Sequence, residues 1–430
     1  MLSAAITTSR TFAHIFASFL PFWFFLLLFK FGAGTHYSLI SPLGEQFFPL
    51  WMVGILMGGC SIVQLLLDVP AGHLLDRFGY LRLLKITTAI FLVAALTLTF
   101  GLTKVTYLLS LLFSIFGWLF FGPGLNAYVL SHAPKETAGR FMSVRDVAGS
   151  IGVVLSSAML PFILTQRPEI MGTVIFLLLL ASLFLLYFSP KDYVSESKQS
   201  SRRLEKKLET HHHYIRRHYI HTTLKAMKKL NPASGMLLLV SFSSSIFYGC
   251  IWFVVPLIIV HQANAGLLGL GLGIFDFSIV VLGFILGNLA DKSDKRALIF
   301  FGLLLFSISG MLLGFDFGWL FLLFGFLATS GDEMASISLW SWLHSLDRQH
   351  DSDGVIAGVI TLFQDLGWAI GPILSGIAFG LVGPTWTIVI CSIPVFLTWV
   401  IYQFFVRDHR KKHLPFSLIP AKPHRARHKN

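Results

Sequence analysis

Charge is scarce in this chain. Lys, Arg, Asp and Glu make up 13% of its 430 residues, where a soluble domain is nearer a quarter. Cysteine is scarcer: Cys60, Cys250 and Cys391 are the three. Each falls in a different apolar run, so no disulfide framework is implied. No N-x-S/T acceptor occurs, which fits a bacterial or archaeal inner membrane. There is no Walker A loop, no H-E-x-x-H and no G-x-S-x-G in a suitable context, so nothing points to an enzyme. The histidine run His211, His212 and His213 cannot share one helix face, and no Cys or carboxylate spacing completes a metal set. Neither a metal nor a cofactor is expected.

What the chain has is apolar surface. It is 55% hydrophobic, with 42 Phe and a mean hydropathy of +0.73. The apolar residues form blocks of about 20, the length that carries a helix across about 30 Å of hydrocarbon. Twelve such blocks fall near 11–31, 49–68, 83–102, 105–130, 141–164, 170–189, 234–260, 266–289, 297–315, 317–345, 355–382 and 385–406. None alternates with period two, which excludes a membrane barrel. The first block has only Arg10 before it and no small-x-small cleavage site, so it reads as a retained span rather than a signal peptide.

Basic residues orient the spans. With both termini in the cytoplasm, only Lys30, Lys104 and Arg167 of the 33 Lys and Arg fall in outside loops, a strong positive-inside bias. The net charge of +12 is therefore no sign of nucleic-acid binding. It sits mainly on a central segment and a C-terminal tail, facing an anionic inner leaflet. The plasma (inner) membrane is the expected location, and a monomer the expected state.

The spans divide six and six. The expected division is a bundle over 1–189, a basic cytoplasmic loop over 190–231, a second bundle over 232–408 and a basic tail over 409–430. The loop holds "SRRLEKKLE" and "LKAMKKL", which suit either an amphipathic surface helix or a flexible linker. The halves also echo each other. "GHLLDRFG" follows the second span and "GNLADKSDKR" the eighth; "VRDVAGSIG" lies in the fifth and "FQDLGWAIG" in the eleventh. In each member of the second pair an Asp, Asp146 or Asp365, precedes a Gly by the same interval. Two matches in register suggest a parallel repeat.

These features resemble the major facilitator superfamily of secondary transporters, over the whole membrane part. The string "DVPAGHLLDRFG" resembles that family's loop motif between helices 2 and 3, matching at Gly72, Asp76, Arg77 and Gly79. Tyr80 and Leu81 stand where basic residues are usual. The second copy keeps Gly287 and Asp291 but has Asp294 in place of its second Gly. The resemblance implies an all-α protein of two pseudo-symmetric six-helix bundles. It also implies a cytoplasmic latch at this motif and a cavity lined by helices 1, 4, 7 and 10, flanked by 2, 5, 8 and 11. Helix 4 has no Arg before its Gly-rich stretch, and helix 5 lacks G-P-x-x-G-G, both common in proton-driven drug exporters.

The embedded charges fall where that arrangement puts a cavity. They are Asp68, Arg145 and Asp146, Asp276, Asp332 and Glu333, and Asp365. The interiors of spans 3, 6, 9 and 12 hold none. A charge at a helix centre costs roughly 2.5–3.5 kcal/mol on insertion scales, so each needs water, a partner or a proton. Arg145 is the only clear embedded base on this reading. Carboxylates removed from water exchange protons near neutral pH, so Asp332, Glu333, Asp276 or Asp365 is expected to couple proton and solute movement. Interhelical pairing, such as Arg145 with Asp146, is the competing role. Tyr248 and Trp252 in span 7 and Asn126 in span 4 are candidates to shape the pocket. An acidic, aromatic cavity suits lipophilic cations. The expected function is therefore proton-coupled transport of a small organic solute, with export favoured. Nutrient import is the alternative, and a non-transporting sensor or assembly protein a third.

Overall fold

The computed structural model describes residues 16–132, 138–164, 166–191, 232–261, 265–315, 318–346 and 353–412. Among them there is no strand. The N-terminal half supplies α1 (Leu20–Glu45), α2 (Leu50–Phe78), α3 (Tyr80–Thr99), α4 (Lys104–His132), α5 (Ala138–Leu164) and α6 (Pro168–Tyr187). The C-terminal half supplies α7 (Pro232–His261), α8 (Ala265–Lys292), α9 (Lys295–Leu312) and α10 (Trp319–Leu346). A last helical stretch, Asp353–Lys412, has 60 residues and would be about 90 Å long if unbroken, three times the hydrocarbon thickness. It breaks at Gly383, with φ 76° and ψ 177°, a conformation favoured only by glycine. Pro384 follows, with no amide to continue the ladder. The stretch is thus two helices, α11 (353–382) and α12 (384–412). The protein is a multi-pass, all-α membrane protein of twelve helices. The basic loop over 192–231, with His211–His213, and the tail beyond 412 lie outside the described residues.

The turns between helices are short. Gly79, at φ 87°, ends α2 and begins α3. At the equivalent turn of the second half, Asp294 caps α9 by accepting a hydrogen bond from the Arg296 amide at 3.0 Å. The missing glycine of the second motif copy is therefore replaced by an N-cap, which satisfies one of the free amides at a helix start.

One expected span is displaced. The first was placed at 11–31, ending at Lys30, whereas α1 runs Leu20–Glu45. Lys30 is not in an outside loop. It stands in the body of a membrane helix. The apolar run misled because the second half of α1, "KFGAGTHYSLISPLGE", is held by packing rather than by hydropathy. Gly32 abuts Leu178 and Leu179 of α6, and Gly34 abuts Ser156 of α5. Thr35 also donates to Ser156 Oγ at 3.2 Å.

Glycines set how closely the helices approach. Gly152 of α5 lies against Leu27, Lys30 and Phe31 of α1; Gly371 of α11 lies against Ile246, Gly249 and Cys250 of α7. The two sets correspond residue for residue in the same register, so the echo in the sequence is an echo in packing. Two further seams join the bundles. Gly54 and Gly58 of α2 meet Pro372, Gly376 and Ala369 of α11, while Gly269 and Gly273 of α8 meet Pro161, Ser157 and Val154 of α5. Both seams lie toward the end that carries the α1–α2 turn. Small residues at such spacing let backbones approach where lipid offers no hydrophobic drive. Large apolar residues such as Leu177 and Phe184 of α6, Phe301 of α9 and Leu397 of α12 face outward.

The seam is testable with neighbouring glycines. A methyl group on Gly58 meets the Ala369 carbonyl, whereas one on Gly59 meets nothing. Gly58→Ala is expected to lower the thermal midpoint in detergent by several degrees, as an overpacking cost of about 1–3 kcal/mol would. Gly59→Ala is expected to leave the midpoint unchanged or raise it slightly.

Candidate functional site

A cavity of about 430 Å³ lies between the bundles, within the range of roughly 300–1,000 Å³ of small-molecule sites. Its walls come from α1, α2, α4 and α5 on one side and α7, α8, α10 and α11 on the other. These are the helices that the family resemblance implies.

The C-terminal wall is acidic. Asp276 of α8, Asp332 and Glu333 of α10, and Asp365 of α11 all border the cavity. Adjacent residues on a helix point about 100° apart, yet both α10 acids reach it, because the cavity wraps that face of the helix. Their surroundings differ. Asp332 is buried and accepts hydrogen bonds from Ser244 Oγ at 2.6 Å and Tyr248 Oη at 3.0 Å, both on α7. Ser336, one turn on, is a further donor to it. Glu333 takes no hydrogen bond from another described residue; Asp332, Asp146 and Asp276 are its electrostatic neighbours. Asp276 accepts from Ser150 Oγ of α5 at 3.2 Å, a bond across the α5–α8 seam.

The N-terminal wall carries a base that hydropathy hid. Lys30 borders the cavity, with its ammonium 5.0 Å from the Trp118 ring centroid and 5.3 Å from that of Phe121. Such cation–π contacts hold a cation where water is sparse. Asp276, Arg145 and Asp146 are within electrostatic reach of Lys30. The ion pairs formed among the described residues, at a 4.0 Å limit, are Arg145–Asp146 and His261–Glu45, so none involves Lys30. The sequence reading took Arg145 as the only embedded base, and Lys30 corrects it. The available signal was the absence of any turn residue between Lys30 and Pro42, together with the small residues Gly32, Ala33 and Gly34.

Aromatic rings close one end. Tyr37 of α1 lies edge-on to Trp252 of α7 at 5.8 Å and to Trp368 of α11 at 6.2 Å. Beyond them Ser41 donates to the Phe253 carbonyl at 2.9 Å. At the mouth, His261 Nε2 meets Glu45 Oε2 at 3.0 Å. All three contacts join α1 to the second bundle, on the side that carries the α1–α2 turn.

Other candidates lie elsewhere. Arg145 pairs with Asp146, Nη2 to Oδ1 at 2.6 Å and Nε to Oδ1 at 3.0 Å, and also donates to Asn126 Oδ1. This cluster joins α4 to α5 and is not among the groups bordering the cavity. Tyr128 is buried and donates to the Pro190 carbonyl at 2.6 Å, which makes it a packing residue. Of the gate motif, Gly79 forms the α2–α3 turn. The side chains of Asp76 and Arg77, Gly72, Gly287 and Asp291, and that of Asp68, lie outside the described residues.

Twelve helices in two bundles around a charged cavity define a secondary transporter, which moves its solute rather than transforming it. The chain belongs to the Major Facilitator Superfamily, whose family model matches residues 22–232 and 237–428. Similar solved structures include a proton-dependent oligopeptide transporter, at 15% identity and a TM-score of 0.69, covering 92% of this chain and 99% of that one. The xylose transporter XylE of E. coli, in a partially occluded inward-open conformation, has 17% identity and a TM-score of 0.65, with 91% and 99% covered. A POT family transporter in complex with 5-aminolevulinic acid has 11% identity and a TM-score of 0.66, with 91% and 96% covered. At these identities the likeness is one of fold. No curated protein sequence matches the chain.

The two α10 acids should respond differently to substitution. Tyr248→Phe removes a donor from buried Asp332 and is expected to lower the thermal midpoint, at a cost of about 1–3 kcal/mol. Glu333→Gln, which breaks no hydrogen bond among the described residues, is expected to leave the midpoint unchanged or higher. Thermal unfolding of the purified variants in detergent measures both.

Proposed function

We propose that the chain is a proton-coupled secondary transporter of a small organic solute. It works by alternating access in the plasma (inner) membrane, with both termini cytoplasmic. Glu333, Asp332 and Asp276 are the carboxylates that carry the coupled proton. The carrying observation is that these acids and Asp365 share one wall of a cavity between the bundles. Carboxylates so removed from bulk water gain and lose protons as access alternates. The motif at Gly72, Asp76, Arg77 and Gly79, with Gly287 and Asp291 in the second half, acts as the cytoplasmic latch.

Solute and proton move together in this reading, as uptake. The acid-rich sequence favoured export of a lipophilic cation, but Lys30 now opposes a bare cation in the same cavity. Helix 4 also lacks the Arg common in proton-driven exporters, and the similar structures include a D-xylose–proton symporter. Export is the second reading, carried by the density of acid on the C-terminal wall.

Proteoliposomes separate the two. An inward proton gradient is expected to drive accumulation of a transported solute in the native protein. Glu333→Gln or Asp332→Asn is expected to abolish gradient-driven accumulation while keeping solute exchange at equal concentrations. Accumulation driven by an outward gradient would replace uptake with export. Normal gradient dependence in every single acid variant, Asp276→Asn and Asp365→Asn included, would end the coupling assignment.

A further inference from the structure

We propose that the transported solute is a small zwitterion, its anionic group held at Lys30 and its ammonium at Glu333. This rests on the transport reading above and narrows it to a chemical class.

Charge is segregated by bundle. The groups that line the cavity from the N-terminal half include Lys30 and no carboxylate. Those from the C-terminal half include four carboxylates and no Lys or Arg. The cavity is therefore dipolar, positive on one wall and negative on the other. Most of its acids are committed to hydrogen bonds. Asp332 is held by Ser244 and Tyr248, and Asp276 by Ser150. Glu333 has no such bond among the described residues, and Lys30 has aromatic faces but no carboxylate oxygen within 4.0 Å. Two uncommitted opposite charges thus border one space of about 430 Å³.

That pairing discriminates among solutes. A simple cation satisfies Glu333 but meets Lys30. A simple anion satisfies Lys30 but meets the acids. A neutral polyol leaves both charges unanswered. A molecule with an ammonium and a carboxylate on a short skeleton answers both, and its apolar part has Trp252 and Trp368 to lie against. Such a solute also bridges the two bundles, so its binding draws together the walls that alternating access must bring together.

The register of the repeat makes Lys30 more telling. Its counterpart in α7 is Gly249, where Gly371 packs as Gly152 packs at Lys30. A lysine is not needed to make that helix crossing. The first half carries one where the second manages without.

The test is a binding panel on the full-length protein in detergent, read by thermal shift and by isothermal titration. Free amino acids and dipeptides represent the zwitterions at two sizes. Each is paired with its N-acetylated and its C-amidated form, and choline and a monosaccharide serve as single-charge and neutral probes. At least one zwitterion is expected to bind, and blocking either end is expected to weaken it by roughly tenfold to a hundredfold. In Lys30→Gln the free acid and its amide are expected to bind alike, with Lys30→Arg restoring the preference. In Glu333→Gln the free amine and its N-acetyl form are expected to bind alike. Because the blocked ligands probe the native chain, the outcome does not depend on the variants folding.

Equal binding of blocked and free forms to the native protein overturns the proposal, as does binding of choline or the sugar alone. The latter would leave the transport reading standing, with another substrate class. If no zwitterion binds, the class assignment fails. If a proton gradient in proteoliposomes also moves none of the panel's solutes, the transport reading fails for these solutes too.

Discussion

A charge placed between membrane helices must be answered inside the protein, and this constraint organises the molecule. Each embedded carboxylate or ammonium costs a few kcal/mol unless something polar faces it. The C-terminal wall answers with hydroxyls: Ser244 and Tyr248 at Asp332, Ser150 at Asp276. The N-terminal wall answers with rings, Trp118 and Phe121 around Lys30. What neither wall supplies directly, the cavity supplies by admitting water or solute. The cavity exists because glycines bring α2 against α11 and α5 against α8 toward one end while the acids and the lysine stand away from those seams.

The fold was legible because its signal is redundant. Twelve apolar blocks, a six-and-six division and two echoed motifs each point to the same architecture. The acidic wall was legible for a related reason. A carboxylate in an apolar run has few roles, and Asp276, Asp332, Glu333 and Asp365 all border the cavity. Lys30 was not legible, because hydropathy treats a lysine as the end of a span. Here its aliphatic stem lies in the packed interior and only packing keeps the helix going for fifteen residues more. Arg145 was over-read for the opposite reason. Its partner Asp146 is the next residue, and a neighbouring pair of opposite charge can settle its own electrostatics without reaching a cavity.

The two halves are copies in backbone and not in chemistry. Gly152 and Gly371 occupy matching niches, and so do the α2 and α8 glycines at the two seams. Where the copies diverge, they do so at the cavity. Lys30 stands opposite Gly249 in the register of the repeat, and the α2–α3 turn uses Gly79 where the α8–α9 turn uses an Asp294 cap. Symmetry serves the motion, since two equivalent seams can exchange roles at the two ends. Asymmetry serves the solute, since a dipolar site cannot come from identical walls.

Tyr37 carries a consequence of another kind. Its ring sits between Trp252 and Trp368, within 5.8 and 6.2 Å of their centroids, and it belongs to the other bundle. Tyrosine passes excitation to tryptophan efficiently over such distances, and an indole released from a dry contact into water emits further to the red. The closure of this end is thus written into the protein's own optical spectrum. Separating the bundles there unpairs a donor from two acceptors and wets both indoles at once, so the molecule reports which way it faces without any added label.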